Sequence, residues 1–421
     1  MTGGLKIALI NTFYPPYNFG GDGVYVRRFA HALARAGCDV NVLHDSETYK
    51  ALAAKPLGDL APFDEPPGVA VTRLESPLGP VASLITHQTG RPLAYANAVR
   101  DFFSEDFDVT HFHNVSQIGG PGILSEGSGV RLYTAHEHWL VCPTHILWRH
   151  NRELCDRREC FKCQIVHRRP PQLWRRTDFL ERQAKSIDAF IALSQSSADN
   201  HRRFGFPFEM RVLPTFLPDG GEDSGRRPFA ADRPYALFVG RLEKIKGLHD
   251  LIPAFRKSEG LDLVVVGEGG EGEELRRLAG GSASIRFLGR MAPEALGPLY
   301  AGAAAVILPS VCYEVFPLVA LEAFRAGAPI IARNLGPFPE IIEKSGAGFL
   351  FDDASEAYAA AIRLARDPTL RARLGACGKS AFQAHWSEKA ALAAYFNLVA
   401  EKAAEKNLGS VAEKARRLAS I

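Results

Sequence analysis

The sequence has no run of about 18 uninterrupted apolar residues, so it predicts no membrane-spanning helix. Its N-terminus enters an apolar segment at Leu5 to Ile10 without the charged region and longer apolar stretch of a secretory signal, so we expect a cytoplasmic protein. The formal net charge is only +3, which gives no electrostatic reason to expect nucleic-acid binding. Neither glycine-rich turn combines a GxGxxG motif with an acidic residue on the next strand. The lack of this combination disfavours a dinucleotide-dependent dehydrogenase.

The length and the residue pattern indicate two α/β domains. A chain of 421 residues exceeds what one hydrophobic core normally supports, and 46% hydrophobic with 23% charged residues is ordinary for a globular enzyme. Apolar strands alternate with helical segments, which predicts parallel sheets covered by helices. The segment from about Ser46 to Pro80 lacks clear periodicity and is predicted to be mostly loop. A polar, glycine-rich linker is predicted at 218–228, between an N-terminal domain over 1–217 and a C-terminal domain over 229–383.

Two carboxylates flank the start of a predicted helix in the second half of the chain. The segment Tyr313 to Glu322 follows a short apolar strand, with Glu314 in the loop and Glu322 inside the helix. Pro317 suits the first turn of a helix, where its missing N–H is tolerated. The free amides at such a helix start attract anions, whereas carboxylates beside them need hydroxyl donors. Solvated surface charges are the common alternative. The combination nevertheless fits a ligand with phosphates in the middle and sugars at both ends, such as a nucleotide sugar.

Two cations follow another predicted strand, Ala236 to Val239. The loop that begins at Gly240 carries Arg241 and Lys246 at a strand end, where open α/β sheets bind ligands. Arginine supplies a planar fork and lysine a compact charge, so the pair is suited to hold two phosphates; a solvated basic loop is the alternative. A further predicted strand runs from Val264 into the glycines after Val266, which by itself is a weak signal.

In this order, the elements resemble the retaining nucleotide-sugar glycosyltransferases of family 4, which have the GT-B fold. Many members of that family have glycine where this chain has Pro317. The resemblance covers nearly the whole chain, and its matching pieces are Pro15-Pro16, Gly20-Gly21, the Arg241/Lys246 loop, Val266-Gly267-Glu268-Gly269, Phe287-Leu288-Gly289, Glu314, and Glu322 to Ile331.

The resemblance implies a fold and a reaction. The fold would be two Rossmann-like domains whose parallel sheets face a central cleft, with C-terminal helices over 384–421 packing back on the N-terminal domain. The reaction would move a sugar, as in hexosyltransferases, from a UDP- or GDP-type nucleotide diphosphate sugar to a hydroxyl of a glycan or lipid-linked acceptor, with retained anomeric configuration. The resemblance also implies a role in polysaccharide biosynthesis. The family generally needs no cofactor for catalysis, and no DxD motif lies where a divalent metal would be wanted.

The resemblance also assigns roles to single residues. The predicted catalytic residues are Arg241, Lys246, Glu314 and His136, and Glu314 would accept the hydroxyls of the transferred sugar. His136 is preferred to His138. The predicted donor contacts are Gly20, Gly21, Ser194, Gly240, Gly267, Phe316, Leu318, Val319 and Glu322, the last for the ribose.

Several of these positions have simpler interpretations. A tight turn would explain the glycines at 20–23, and capping of the following helix would explain Ser194. His113 ends an earlier predicted strand and is a weaker candidate for acceptor contacts. Glu137 stands where the family often carries Asp, so no role is assigned to it.

Four of the seven cysteines fall in one short segment: Cys142, Cys155, Cys160 and Cys163. The CxxC spacing of the last two lets two thiolates hold one tetrahedral metal, and disulfides are not expected in the cytoplasm. We therefore predict a structural Zn²⁺ site, with an iron–sulfur cluster, free thiols or a redox pair as alternatives. Trp and Arg residues flank the cluster, which suits an acceptor-side insertion over about 142–176 that contacts a glycan or the inner face of a membrane.

Two other functions fit part of the pattern. A GT-B nucleotide-sugar epimerase or phosphorylase would share the donor motifs, but a phosphorylase needs a phosphate or pyridoxal site that no motif supplies. A non-catalytic nucleotide-sugar-binding protein is disfavoured because Arg241, Lys246, Glu314 and Glu322 are all present.

Overall fold

The computed structural model describes residues 3–53, 63–218 and 233–420. The chain divides into two compact units. The first comprises Met1–Leu193, Ala198–Leu213 and Leu392–Ile421, and the second comprises Ser194–Ser197 and Pro214–Ala391. Of the predicted linker, positions 219–228 lie outside the described residues. Within the described ranges, no helix is both long and apolar enough to cross a membrane.

The first unit is built on a seven-stranded parallel sheet. The strands of this unit are, in chain order, β1 (Lys6–Ile10), β2 (Asp39–Asp45), β3 (Val69–Leu74), β4 (Val109–Phe112), β5 (Val130–Ala135), β6 (Trp148–Arg149), β7 (Glu153–Leu154), β8 (Ala189–Ala192) and β9 (Met210–Val212). The sheet order is β3-β2-β1-β4-β5-β8-β9, and β6 and β7 form a separate antiparallel hairpin. The strand order reverses between β1 and β4, as in doubly wound α/β folds.

Helices cover this sheet and bury their apolar stripes. In the first helix, Val26, Phe29, Ala30 and Leu33 are buried, and their spacing puts them on one face. Gly37 follows this helix with a φ of 90°, which glycine adopts without strain. The helices are α1 (Gly21–Arg35), α2 (Glu47–Leu52), α3 (Pro80–Thr89), α4 (Ala96–Phe102), α5 (Cys160–Val166), α6 (Phe179–Ala184) and α7 (Gln195–Arg203).

The stretch from Ser46 to Pro80 is not mostly loop, because its described residues contain α2 and β3. Strand β3 pairs with β2 at the edge of the sheet, and only Leu74 of its six residues is buried. An edge strand with so little buried surface does not show the alternation of apolar residues that marks a strand in a sequence.

The second unit repeats the doubly wound plan with six parallel strands. They are β10 (Tyr235–Val239), β11 (Asp262–Val266), β12 (Ile285–Gly289), β13 (Ala305–Leu308), β14 (Ile330–Arg333) and β15 (Gly348–Phe351). Their order is β12-β11-β10-β13-β14-β15, so the order reverses between β10 and β13. Open sheets of this kind bind ligands beyond the carboxyl ends of the strands at that reversal.

Nine further helices follow in the described chain. They are α8 (Leu248–Phe255), α9 (Gly272–Ala279), α10 (Leu296–Gly302), α11 (Leu318–Ala326), α12 (Phe338–Ser345), α13 (Ala354–Arg366), α14 (Pro368–His385), α15 (Glu388–Glu405) and α16 (Gly409–Ala419). Short 3₁₀ turns occupy Leu93–Tyr95, Gly120–Ile123, Leu173–Arg176, Lys244–Lys246 and Pro293–Ala295.

The chain from Leu392 onward groups with the first unit. In α15, the ring of Tyr395 meets that of Phe29 edge to face, with 4.9 Å between centroids. The Lys406 ammonium lies 2.8 Å from the carboxylate of Asp188, which caps the amide of Arg131 at the start of β5. Apolar and ionic contacts therefore both hold these last helices on the first unit.

Candidate active site

The loops after β10 and β13 meet at the strand-order reversal of the second sheet. The Lys246 ammonium lies 2.6 Å from Oε1 of Glu314, and the Ser310 hydroxyl donates to the same oxygen at 2.6 Å. The side chains of Lys246 and Glu314 are 22% and 17% exposed. The structure thus brings a predicted cation and a predicted carboxylate into direct contact.

Both partners of this pair are held in their charged forms. Burial opposes ionisation of Glu314, but the Lys246 ammonium and the Ser310 hydroxyl outweigh it and lower the pKa of Glu314. Burial likewise opposes the charge of Lys246, yet the carboxylate of Glu314 raises the pKa of Lys246. A charged lysine and a charged carboxylate at one strand end can bind a phosphate oxygen and a sugar hydroxyl respectively.

Glycines let the loops of this site approach each other closely. Gly247 has a φ of 72°, and a Cβ there would lie 2.0 Å from the carbonyl oxygen of Pro309. Gly267 has a φ of 138°, and a Cβ there would lie 1.9 Å from the carbonyl oxygen of Gly240. No other residue fits either position without moving the backbone. The predicted Gly240 and Gly267 therefore form one close backbone contact at the ends of β10 and β11.

Helix α11 begins at the same edge of the sheet. Pro317 is its N-cap rather than its first helical residue, and Leu318 and Val319 open the first turn. The amides of a first turn have no carbonyl four residues earlier within the helix, so they are available to an anion. One turn further on, Glu322 accepts a 2.5 Å hydrogen bond from the hydroxyl of Tyr300.

Other predicted residues of this unit do not join the Lys246–Glu314 pair. Arg241 is exposed, and its guanidinium pairs with Glu243 at 2.7 Å. Phe316 is half-buried and packs against the core, with its ring centroid 6.3 Å from that of Trp386. The Ser194 hydroxyl donates to the carbonyl oxygen of Val315 at 2.7 Å and accepts from the amide of Ser197 at 3.0 Å. Ser194 is thus a helix cap that also holds the loop of Glu314.

In the first unit, the loop after β1 meets the loop after β4 at the start of α1. Gly20 is the N-cap of α1 and Gly21 its first residue, so the cap position itself supplies no side-chain acceptor. The carboxylate of Asp22 accepts a 3.1 Å hydrogen bond from the side-chain amide of Asn114. Burial, reinforced by the charge of Glu137, raises the pKa of Asp22 to about 6.

His136, the first residue after β5, lies in a cluster of aromatic rings in the first unit. His113 and His136 share a hydrogen bond of 2.9 Å between ring nitrogens, and the ring centroid of Tyr25 is 4.9 Å from that of His136. Burial lowers the pKa of His136 to about 4, so its imidazole is neutral at neutral pH. His138 points elsewhere in the unit, where its ring stacks on His201.

Comparison with known proteins identifies the family. The family described as "Glycosyltransferase Family 4" matches residues 19–218, and the family described as "Glycosyl transferases group 1" matches residues 221–381. A glycogen synthase of Mycobacterium tuberculosis is 33% identical over 360 residues, which cover 80% of this chain and 80% of that protein. The chain belongs to glycosyltransferase family 4. The family resemblance carried by the sequence motifs is therefore confirmed.

The fold of this glycosyltransferase is also found among solved structures. A sucrose-phosphate synthase of Thermosynechococcus elongatus superposes with a TM-score of 0.73 at 22% identity, covering 95% of this chain and 100% of that chain. HepE of Anabaena, solved in complex with UDP-glucose, gives a TM-score of 0.61 at 17% identity, covering 95% and 100%. The predicted α/β class of GT-B type is confirmed.

The structure of the glycosyltransferase does not support the predicted Zn²⁺ site. Among the described residues, which include all four clustered cysteines, no group of three or more His, Cys, Asp or Glu side chains is placed to hold a metal ion. The thiols instead bond to groups of their own segment. Cys142 contacts the Thr144 hydroxyl at 3.3 Å, and Cys155 donates to the carbonyl of Arg157 at 3.3 Å. Burial, reinforced by the neighbouring thiols of Cys142, Cys160 and Cys163, raises the pKa of the Cys155 thiol to about 11.

Several polar residues beside the predicted ones were not found from the sequence of this glycosyltransferase. Ser310 and Tyr300 contact Glu314 and Glu322, and Asp22 lies within the predicted glycine loop. Ser310 is four residues before Glu314 and could have been proposed from that spacing. Tyr300 could not, because its contact depends on how α10 packs against α11.

Proposed function

We propose that this glycosyltransferase moves a hexosyl group from a nucleoside diphosphate sugar to a hydroxyl with retention of anomeric configuration. The observation that carries the proposal is the Lys246–Glu314 pair at 2.6 Å, beside the free first turn of α11. Such a site offers a cation and amides for a diphosphate, with a carboxylate next to them for sugar hydroxyls. A structure of the same fold, HepE, was solved with UDP-glucose, which supports a donor of this class.

The binding roles follow from the charge that develops on the leaving group. When the bond between the anomeric carbon and the diphosphate breaks, negative charge builds on the diphosphate oxygens. Lys246, Arg241 and the amides of Leu318 and Val319 stabilise that charge, and preorganised donors of this kind are each typically worth about 3 kcal/mol in the transition state. On donor binding, the ammonium of Lys246 turns from Glu314 to the phosphate. Glu314 then accepts the hydroxyls of the transferred sugar.

The remaining steps use no side-chain nucleophile. The acceptor oxygen forms its bond to the anomeric carbon on the face from which the diphosphate leaves, and its proton passes to a diphosphate oxygen. Glu322 accepts hydrogen bonds from the ribose hydroxyls while its Oε2 keeps the hydrogen bond from the Tyr300 hydroxyl, which orients the carboxylate. We assign Gly20, Gly21 and the neutral imidazole of His136 to the transferred sugar, in line with the family resemblance.

We also propose a glycan or lipid-linked acceptor and peripheral contact with an anionic membrane at its inner, cytoplasmic face. Helix α5, the loop after it and the 3₁₀ turn at Leu173–Arg176 carry exposed apolar side chains beside exposed basic ones. Apolar groups can enter a headgroup region while neighbouring cations pair with lipid phosphates. The apolar members are Phe161, Ile165, Val166 and Leu173, and the basic ones are Lys162, Arg168, Arg169 and Arg176.

A thermal-shift panel of UDP, GDP, ADP and TDP sugars tests the donor assignment. We expect one nucleotide class to raise the melting temperature of the wild-type chain and not that of Arg241→Ala/Lys246→Ala. The control is Lys257→Ala/Arg277→Ala, which removes two exposed cations of the same unit outside the site. An equal rise in melting temperature for Arg241→Ala/Lys246→Ala and for the control variant would contradict the assignment of Arg241 and Lys246 to the donor site. No shift in the wild type would contradict a nucleotide-sugar donor.

A further inference from the structure

A cavity of about 320 Å³ lies within the first unit, apart from every residue assigned above to the donor. Leu140, Val141 and Pro143, in the loop after β5, form part of the wall, and the rest comes from α5, the 3₁₀ turn at Leu173–Arg176, α6 and the loop at Gly205–Pro207. Pockets of this size hold a small ligand, such as a phosphorylated sugar ring. The cysteine-containing segment therefore builds a binding pocket instead of the predicted metal site.

The charges that line this cavity are unbalanced. Arg158, Arg175 and Arg176 line it, and within the described residues none of the three has an ion pair. Glu181 is the one carboxylate among the lining residues. Arg157, just outside the cavity, is by contrast paired with Glu159 at 2.8 Å. The lining thus carries an excess of positive charge, which favours an anionic ligand.

Arg175 is held in place by neighbouring groups, and Arg158 lies against the opposite loop. The Arg175 guanidinium donates to the carbonyl oxygen of Trp139 at 2.8 Å and to the side-chain oxygen of Gln172 at 2.5 Å. It also lies over the Trp174 ring, 4.6 Å from the centroid. Arg158 reaches across to the loop after α7, where its guanidinium would be 3.0 Å from a Cβ at Gly205. Preorganised guanidinium groups lose little freedom when they bind an oxyanion.

The third arginine lines an apolar part of the cavity. Arg176 lies over the ring of Phe161 with 5.2 Å to the centroid, and Leu173 and Phe161 are both exposed there. The cavity therefore offers guanidinium forks for an anion together with an apolar surface for a ring or chain. Burial lowers the pKa of Arg175 to about 10, and a bound anion would offset that effect.

We propose that this cavity binds a phosphate group, attached to a sugar ring or to a lipid, as the anionic end of the acceptor. Three arginines and one glutamate leave an excess of two positive charges, which matches a phosphate monoester better than a singly charged carboxylate. The identification of this ligand as the acceptor rests on the proposed transferase function. Binding of the phosphate itself does not depend on that function.

Calorimetric titration of the full chain with glucose 6-phosphate tests the site. We expect binding that weakens about tenfold or more for each lost arginine in Arg158→Gln and Arg176→Gln, both exposed residues whose replacement leaves the core intact. Arg157→Gln, the paired neighbour, should bind like the wild type, and Glu181→Gln should bind more tightly. Equal affinity of Arg158→Gln/Arg176→Gln and wild type, or no binding at millimolar concentration, would overturn the proposal.

A second arm identifies the source of the phosphate. Vesicles of phosphatidylcholine with phosphatidic acid are floated with wild type and with Arg158→Gln/Arg176→Gln. Loss of flotation in the double variant, with competition by glucose 6-phosphate, supports a lipid-borne phosphate. Arginine-dependent binding of glucose 6-phosphate with unchanged flotation supports a soluble one. If the donor panel shows no nucleotide effect while this binding persists, the transferase proposal fails and the phosphate site stands.

Discussion

Lys246 and Glu314 form a half-buried ion pair, so removing one charge should affect the protein differently from removing both. Lys246→Met leaves the Glu314 carboxylate without its cation, which should lower the free energy of unfolding by about 2 kcal/mol. Turnover should fall at least about a hundredfold because diphosphate stabilisation is lost. Lys246→Met/Glu314→Gln should regain much of the stability and none of the activity. Urea unfolding measures the stability of each variant, and initial rates measure its turnover. An active double variant would contradict the assigned roles.

The hydroxyl of Tyr300 orients Glu322, so its removal should affect the donor more than the fold. In Tyr300→Phe we expect KM for the donor to rise about fivefold to tenfold with little change in kcat, as for the loss of one hydrogen bond to a charged group. Tyr358→Phe is the matched control, because its hydroxyl bonds Ser258 in the same unit. A lower kcat at unchanged KM would show that Glu322 acts on the reacting atoms instead.

At the scale of elements, the ends of β10, β11 and β13 depend on glycine. Gly247→Ala places a Cβ against the carbonyl of Pro309 at a left-handed φ, so we expect a loss of at least about 2 kcal/mol of stability together with weaker donor binding. Gly270→Ala is the control, since nothing lies within 4 Å of its Cβ position. Thermal unfolding with and without nucleotide compares the two. An unchanged melting temperature in Gly247→Ala would contradict the close approach of these loops.

The elements themselves were predicted where their residues are buried on both faces. Apolar runs placed β1 and β10 within a residue or two of their observed bounds, because central strands of a parallel sheet have no polar face. Strand β3 was not predicted because only one of its six residues is buried. The short strand β9 was missed for the same reason, since two of its three residues are exposed.

The site was predictable only where its residues sit at strand ends. Arg241, Lys246 and Glu314 lie in the loops that follow buried strands, so the strand pattern places them at one edge of the sheet. The contacts of Tyr300 and Ser194 depend on which elements pack together, and the sequence pattern does not specify that. The cysteine spacing suggested a metal, whereas the folded segment directs its thiols to local partners and lines a cavity with arginine.

At the scale of the whole molecule, buried histidines make stability depend on pH. Burial lowers the pKa of His44 and His111 to about 3 and that of His136 to about 4, and it lowers the pKa of His113 and His138 well below 6.5. Below pH 6.5 the unfolded chain therefore binds protons that the native protein does not, and stability falls as the pH drops towards 4.

Two buried carboxylates act in the opposite direction. Burial raises the pKa of Asp22 and of Asp45 to about 6, so between pH 6 and 4 the native protein binds these protons first. Five histidines outweigh two aspartates, so we expect urea midpoints to fall from pH 7 to pH 5. His111→Phe should make that slope shallower, by at most about 1.4 kcal/mol per pH unit. A midpoint that rises on acidification would contradict this balance.

The most direct test of the account is turnover of the nucleotide sugar selected by the thermal-shift panel, followed by proton NMR on the full chain. We predict release of the free nucleoside diphosphate, with the hexose first appearing in the anomeric configuration of the donor, and no release by Lys246→Met/Glu314→Gln. An intact nucleotide carrying an epimerised sugar, or a product of inverted configuration, would contradict it.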